Sequence, residues 1–238
     1  MLKNEHEVVG TTFANLLEMV AQISPLLRVR FSTSHPKDIT DEVLYTIARY
    51  DNICKYIHLP VQSGSTRILQ LMNRTYTREW YTNKVNRIRE ILPGCGLSTD
   101  IITGFCTETE EDHNETLSLM DYCEYDLAYM FFYSERPGTL AARRYKDDVQ
   151  EEIKKRRLQD VVALHRIQSL NSMQKEIGKT VKVLIEGNSK KSSEQWAGRS
   201  DNNKMVVFPK TSNIGKGSYA NVLIKECTAG TLIGELVN

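Results

Sequence analysis

No two of the five cysteines, Cys54, Cys95, Cys106, Cys123 and Cys227, stand within four residues of one another. An odd, scattered set does not read as a disulfide framework. Nor does it offer a local zinc or iron–sulfur motif, which needs ligands a few residues apart. Small thiols in a reducing interior are what the spacing suggests. Other absences exclude as much. No apolar run approaches the ~18 residues of a membrane span. The start of the chain, with Glu5, His6 and Glu7, has no signal-peptide character, so a soluble cytoplasmic chain is expected. There is no GxxxxGK[ST] phosphate loop, no GxGxxG turn and no Ser–His–acid order of the hydrolase kind. Charge of one sign is scarce too: the formal net charge is +1. Its distribution is less even. Residues 1–174 hold 21 Lys+Arg against 24 Asp+Glu, and residues 175–238 hold 10 against 6. A basic excess confined to the last quarter fits a nucleic-acid module or a merely solvated surface.

What is present is periodicity. The 238 residues, 40% of them hydrophobic, suffice for one large or two modest domains. Apolar residues at 13, 16, 17, 20 and 23 share one helical face. Leu26–Ser32 reads as a strand, and Asp38 and Thr40 can cap a helix that turns Val43, Leu44, Ile47 and Ala48 inward. Tyr56–Val61 is a second strand, ended by Pro60 and a Gln-Ser-Gly-Ser turn. A helix over 77–92 follows, then a strand at Leu97–Thr103, an acidic-headed helix from Glu108, and a strand at Leu127–Tyr133. Strand–helix alternation implies parallel strands joined by right-handed crossovers. Four strands preceded by a helix form a small set, and the first would have a bare edge, so a chain begun partway through an α/β barrel, and self-association at Leu26–Ser32, are expected.

Residues 147–177 read as one long charged helix started by Asp147 or Asp148. Its Lys154–Arg157 run (KKRR) could touch RNA or form a solvated face. From Lys179 the period changes to two. TVKVLIEG, EQWAGRSD, KMVVFP, SYANVLIKEC and GTLIGELV are five short strands between Gly-, Ser- and Asn-rich turns. The fold expected is therefore α/β, a partial (β/α) barrel over 1–146, a connecting helix over 147–178 and a small all-β, OB-like barrel over 179–238. Barrels of that type commonly take single-stranded RNA on an open face.

In parallel α/β folds ligands lie where the strands' C-terminal loops converge. Those strand ends hold Ser32 through His35, Gln62 through Ser65, Asp100 through Gly104, and Tyr133 through Arg136. The set suits a zwitterionic ligand with hydroxyls, Arg136 meeting a carboxylate and Asp100 an ammonium or ribose hydroxyl. His35 and His58 could serve in acid–base work or as structural hydrogen-bonding groups.

The strings RVRFSTSHP (28–36), HLPVQSGSTRIL (58–69), STDIITGF (98–105), ETEEDHNETL (108–117) and FFYSERPGT (131–139) resemble successive segments of the radical-SAM tRNA methylthiotransferases. The C-terminal LIEGNSKKSSEQWAGRSDNNKMVVF resembles that family's TRAM domain. The match runs from about residue 12 to the end, and FSTSHP points to members that modify isopentenylated adenosine beside the anticodon. The resemblance implies S-adenosyl-L-methionine and [4Fe–4S] clusters as cofactors and the tRNA anticodon stem-loop as partner. It also implies a monomeric whole enzyme whose cluster cysteines fall outside this chain, leaving the chain inactive alone. Carried onto matching positions, it places Gln62, Ser63, Asp100 and Arg136, with Ser32 and Ser34, in the wall for S-adenosylmethionine or the substrate adenosine. Lys190, Lys191, Arg199 and Lys204 are expected to meet RNA phosphates, with Trp196 either stacking on a base or filling the core. Where the family often reads GFPGE, this chain has Gly104-Phe105-Cys106-Thr107-Glu108, which changes the stiffness of that loop; Cys106 could be redox-active or a buried spectator. A stand-alone RNA-binding protein on a reduced barrel scaffold is the competing reading.

Overall fold

The computed structural model describes residues 11–32, 35–211 and 213–237. Its first body is a three-stranded parallel sheet in the order β1 (Tyr56–His58), β2 (Gly96–Thr103), β3 (Leu127–Phe132). Helices α1 (Phe13–Ile23), α2 (Asp41–Arg49), α4 (Arg78–Ile91) and α5 (Glu110–Cys123) surround it, with the short α3 (Thr66–Leu71) between β1 and α4. Each of the four longer helices starts on a threonine (Thr12, Thr40, Thr77, Thr109) whose hydroxyl accepts an otherwise orphaned amide of the first turn. Val43, Leu44 and Ile47 of α2, Val85 and Ile88 of α4, and Leu119 and Met120 of α5 form one buried core with Ile57, Leu59, Leu97 and Ile101 of the sheet. One sheet face is thus covered by helices, and alternation along each strand leaves the other for the site.

Three sequence expectations change here. The strand at Leu26–Ser32 reduces to a single parallel bridge, Val29 to Ile53. The Val29 amide donates to Asn52 O at 2.8 Å and Val29 O accepts from Cys54 N at 2.9 Å. On either side the chain turns towards the C-terminal body: Arg28 donates to Arg199 O at 2.9 Å and Arg30 pairs with Glu186 at 3.1 Å. Second, the long helix, α7, spans Glu151–Gln174 and does not begin on an aspartate. Asp147 is drawn to Lys154, while Asp148 accepts the Thr107 amide at 2.7 Å. Third, α6 (Leu140–Arg144), capped by Thr139, and α3 stand where the sequence pattern assigns no element.

The second body is a closed barrel of β4 (Thr180–Asn188), β5 (Gln195–Arg199), β6 (Met205–Pro209), β7 (Tyr219–Cys227) and β8 (Leu232–Val237), in the order β4-β5-β6-β8-β7. Its buried residues alternate along the strands, as in Val183 and Ile185 or Val222 and Ile224. Helix α7 belongs to both bodies. Val161 is buried in the sheet core and Met173 in the barrel core.

Lys204, expected on an RNA surface, is buried at this junction and does not face solvent. Its ammonium lies 2.9 Å from Glu176, 3.4 Å from Asp126 and 2.9 Å from Ser172 O. Burial alone would raise the Glu176 carboxyl. The hydrogen bond and charge of Lys204, with Lys179 and Asn202, outweigh that and hold it below the ordinary glutamate value. Replacing Lys204 by Met leaves these carboxylates facing each other without their counter-ion, so we predict a loss of about 3 kcal/mol in urea unfolding at pH 7. Because Glu176 is depressed in the folded state, its contribution is present above the unfolded value near 4.3 and is lost as pH falls through the folded one. The gap between wild type and Lys204→Met should therefore narrow below about pH 4.3; a gap constant with pH would show that the ion pair is not its source.

Candidate functional site

The uncovered sheet face is built by pairing. His58 lies beside Ser98, Asp100 beside Tyr129 and Ile102 beside Phe131. The His58 ring places Nδ1 2.9 Å from Ser98 Oγ and Nε2 3.5 Å from Asp100 Oδ1, with the Tyr129 ring edge-on at 6.0 Å. Polar groups thus occupy the middle of the face, and half-exposed aromatic rings one side of it.

The loops beyond the strands are fastened from beneath. Gln62, buried with φ 76°, continues the sheet past Pro60 by donating its amide to Asp100 O and accepting from Ile102 N, each at 2.9 Å. Gly64 follows because a Cβ there would collide with the Glu115 and Thr116 backbone of α5. Ser65 donates to Asp112 at 2.6 Å, and Arg67 pairs with the same carboxylate. Burial opposes ionisation of Asp112, but these donors and the Thr109 cap outweigh it and hold its carboxyl far below the usual range. In the next loop Gly104 turns with φ 69°, and its amide donates to Glu108 Oε1 at 2.7 Å. That oxygen also accepts from Arg157 of α7 at 3.0 Å, a pair with side chains 5% and 2% exposed. Thr107 has φ 63° where the family often has glycine, and Asp148 and Arg67 tie its backbone down. The lost Pro and Gly are thus offset by polar fastening.

Two adjoining cavities lie at this end. The larger, about 580 Å³, is walled by Ile102, Met130, Phe131, Phe132, Tyr133, Ser134, Arg136, Thr139, Ala141 and Leu158. The smaller, about 330 Å³, shares Ile102, Tyr133 and Ala141 and adds Gln62, Arg74, Phe105 and Leu140. Burial pushes the Tyr133 phenol up to about 12, and its ring stands edge-on to Phe105 at 4.9 Å. Cys106 is fully buried, its thiol pushed up by burial, which suits a spectator.

Gln62, Asp100 and Arg136 are therefore brought to one end of the sheet, the first and last lining cavities that meet at Ile102. Ser63 is fully buried and turned to Thr116 Oγ1 at 3.3 Å, so it orders the loop and does not reach a ligand as expected. Ser32 is exposed and lines neither cavity, and Ser34 lies outside the described residues. His35 caps a 3₁₀ turn by accepting the Lys37 amide. Burial and then the charge of Arg74 lower its pKa. The sequence reading included Tyr133 but not Arg74 or α6; Thr139 ahead of Leu-Ala-Ala-Arg-Arg is the signal for the last.

On the barrel Lys190 and Lys191 are exposed in the β4–β5 turn. Arg199 is half-buried and spends its guanidinium on Glu186 at 3.5 Å and Asn203 O at 3.1 Å. Trp196 is half-buried with Lys210 4.5 Å above its ring. The KKRR run divides by helix face. Lys154 and Arg157 are buried on partners, while Lys155 and Arg156 are the solvated pair.

Comparison with known sequences defines the class first. Residues 9–120 match the model of the radical SAM superfamily, and residues 174–237 that of the TRAM domain. The chain thus carries a radical SAM unit followed by a TRAM unit. Over 225 residues it is 63% identical to the tRNA-2-methylthio-N(6)-dimethylallyladenosine synthase of Amoebophilus asiaticus, covering 94% of this chain and 46% of that protein. The proteins of the same name from Bacteroides fragilis and Christiangramia forsetii are 56% and 53% identical, with 99% and 98% of this chain and 51% and 49% of theirs covered. The chain spans about half the length of the curated relatives it matches.

The divided basic run gives a direct test of the loop fastening. Arg157→Met should cost about 3 kcal/mol and speed hydrogen exchange at the Gly104 amide, because Glu108 is left buried without its partner. Lys155→Ala should change stability by less than about 0.5 kcal/mol. Equal effects of the two substitutions would contradict the assignment.

Proposed function

We propose that this chain is the substrate-wall and RNA-holding portion of a tRNA methylthiotransferase acting on isopentenylated adenosine next to the anticodon. The observation that carries this reading is the open polar face of the sheet, continuous with an aromatic cavity and joined by one helix to a small barrel with exposed lysines. The donor set fits S-adenosylmethionine. Asp100 and His58 would take its amino or ribose groups and Arg136 its carboxylate. When bound beside an iron–sulfur cluster, S-adenosylmethionine supplies radical and methyl-group chemistry. The cysteines present do not fit a cluster. Among the described residues no three His, Cys, Asp or Glu side chains come together to hold a metal ion, and Cys54, Cys106 and Cys123 are buried apart. A cluster would take its ligands from the part of the enzyme that this chain does not span.

In this division residues 1–146 orient cofactor and adenosine, 147–178 set the geometry, and 179–238 hold RNA through Lys190 and Lys191. A tRNA substrate places the protein in the cytoplasm, and no described helix is long and apolar enough to cross a membrane.

The test is a chimera in which this chain replaces the corresponding half of the Amoebophilus asiaticus relative, expressed in a bacterium lacking its own methylthiotransferase. Mass spectrometry of tRNA nucleosides should show the 2-methylthio product, and Asp100→Asn or Arg136→Ala should lower it at least about tenfold, the loss of one ionic contact. A soluble, cluster-loaded chimera that leaves tRNA unmodified would refute the proposal.

A further inference from the structure

The segment Ser134–Lys146 runs from the end of β3 over the rim of the larger cavity and folds into α6. It carries four cations, Arg136, Arg143, Arg144 and Lys146, against one carboxylate, Glu135. All four cations are exposed. Among the described residues none of them forms an ion pair, although the neighbouring Asp147 and Asp148 are available by sequence. Those two carboxylates are already committed, Asp147 to Lys154 and Asp148 to the Thr107 amide. Across the mouth Arg74 lines the smaller cavity, also without an ion pair among the described residues. Most cations elsewhere on this chain have carboxylate partners; this rim is left positive.

Below the rim lies an apolar floor. Phe131 is 56% exposed and Phe132 36%, an unusual display for phenylalanines on a strand. Both line the 580 Å³ cavity together with Arg136 and Thr139, and Leu140 and Ala141 of α6 form the partition with the smaller one. A ring of unpaired arginines around an aromatic pit matches an unstacked nucleobase whose flanking phosphates stay at the surface. An acidic peptide would satisfy the arginines but leave the aromatic floor without a matching planar partner.

Resting on the methylthiotransferase reading, the geometry points to a second RNA-contact surface, separate from the C-terminal barrel, in which Arg143 and Arg144 hold the phosphates either side of the base that enters the cavity. These arginines position the RNA and read no sequence, since guanidinium–phosphate contacts carry none. The barrel lysines and this strap then grip one RNA at two places.

The experiment is fluorescence anisotropy of the full chain with a labelled RNA hairpin whose single-stranded loop contains adenosine, across a salt series. Arg143→Ala with Arg144→Ala should weaken binding about tenfold at low salt and lower the slope of log K against log salt by about 1.4, two single-strand phosphates at about 0.7 each. Arg143→Lys with Arg144→Lys should retain the slope. Phe131→Ala should weaken binding severalfold with the slope unchanged, because stacking releases no counter-ions. Lys190→Ala with Lys191→Ala should add independently to the strap variant in log K. RNA binding by the wild type that the strap alanines leave unchanged, in affinity and slope, would overturn the second surface while leaving the proposed function in place. Failure of the wild type to bind the hairpin would remove both. Capture of an acidic peptide in preference to RNA, lost in the same variants, would overturn the surface's assignment to nucleic acid.

Discussion

The structure depends on how helix α7 is held, and it is held by buried polar groups more than by an apolar stripe. Lys154, Arg157, His165 and Gln168 are all buried on its inner face. Arg157 meets Glu108, Gln168 donates to Met120 O at 2.9 Å, and His165 Nε2 accepts the Ala128 amide at 3.1 Å. Each is a directional contact, and an unmet buried polar group costs about 1–3 kcal/mol, so a rotation or slip of one residue along the helix would break them together. Apolar packing tolerates such slips far better. The register of α7, and with it the position of the barrel that follows, is therefore set by hydrogen bonds. His165 must be neutral to accept at Nε2, and burial lowers its pKa in the required direction. The same bond caps an amide of β3, the last strand of the sheet, where an open edge would otherwise invite pairing.

From that anchor the site loops follow. Arg157 fixes Glu108, and Glu108 fixes the Gly104 amide at the end of β2. Asp112, two turns of chain further on, takes Ser65 and Arg67 from the loop after β1. The two loops that flank the open face are thus tied to one another through α5 and to the barrel through α7. Such preorganisation is what a site needs if bound groups are to meet in one geometry. It also explains how Thr107 sustains a left-handed backbone. A β-branched residue there costs about 1–2 kcal/mol, and the Asp148 and Arg67 contacts offset it.

The alternation of strands and helices, the change of period at Lys179 and the Thr40 cap were legible because each depends on residues near in sequence. Leu26–Ser32 was misread because alternation cannot report whether a neighbouring strand is present. Its Val29 finds one bridge, and its arginines are recruited by Glu186 and Arg199, more than 150 residues away in sequence. In the run at 154–157 the solvated face holds for Lys155 and Arg156, and Lys154 and Arg157 turn inward for a similar reason. Helical spacing puts Lys154 and Arg157 on one face, but only the fold brings Asp147 and Glu108 to meet them. Asking what lies at strand ends picked out Gln62, Asp100 and Arg136, which the fold brings to one end of the sheet, and also Ser63, which turns inward to Thr116, as Lys204 of the expected basic surface turns inward to Glu176.

The charge asymmetry along the chain takes a different meaning once partners are known. In the C-terminal quarter, where the basic excess sits, Lys204 and Lys179 neutralise Glu176, Arg199 meets Glu186, Lys225 meets Glu235, and Lys175 meets Glu124. Lys182 and Lys210 face aromatic rings, Tyr219 and Trp196. Lys190 and Lys191 remain exposed in their turn without ion-pair partners among the described residues. The acidic part of the chain, by contrast, holds the unpaired strap at 134–146. A count of charges by sequence segment therefore misplaces the anion-attracting surface, because what attracts a phosphate is cation density left over after internal pairing. Among the described residues, neighbouring cations left without a carboxylate partner stand at the barrel turn, Lys190 and Lys191, and at the cavity rim, Arg143 and Arg144.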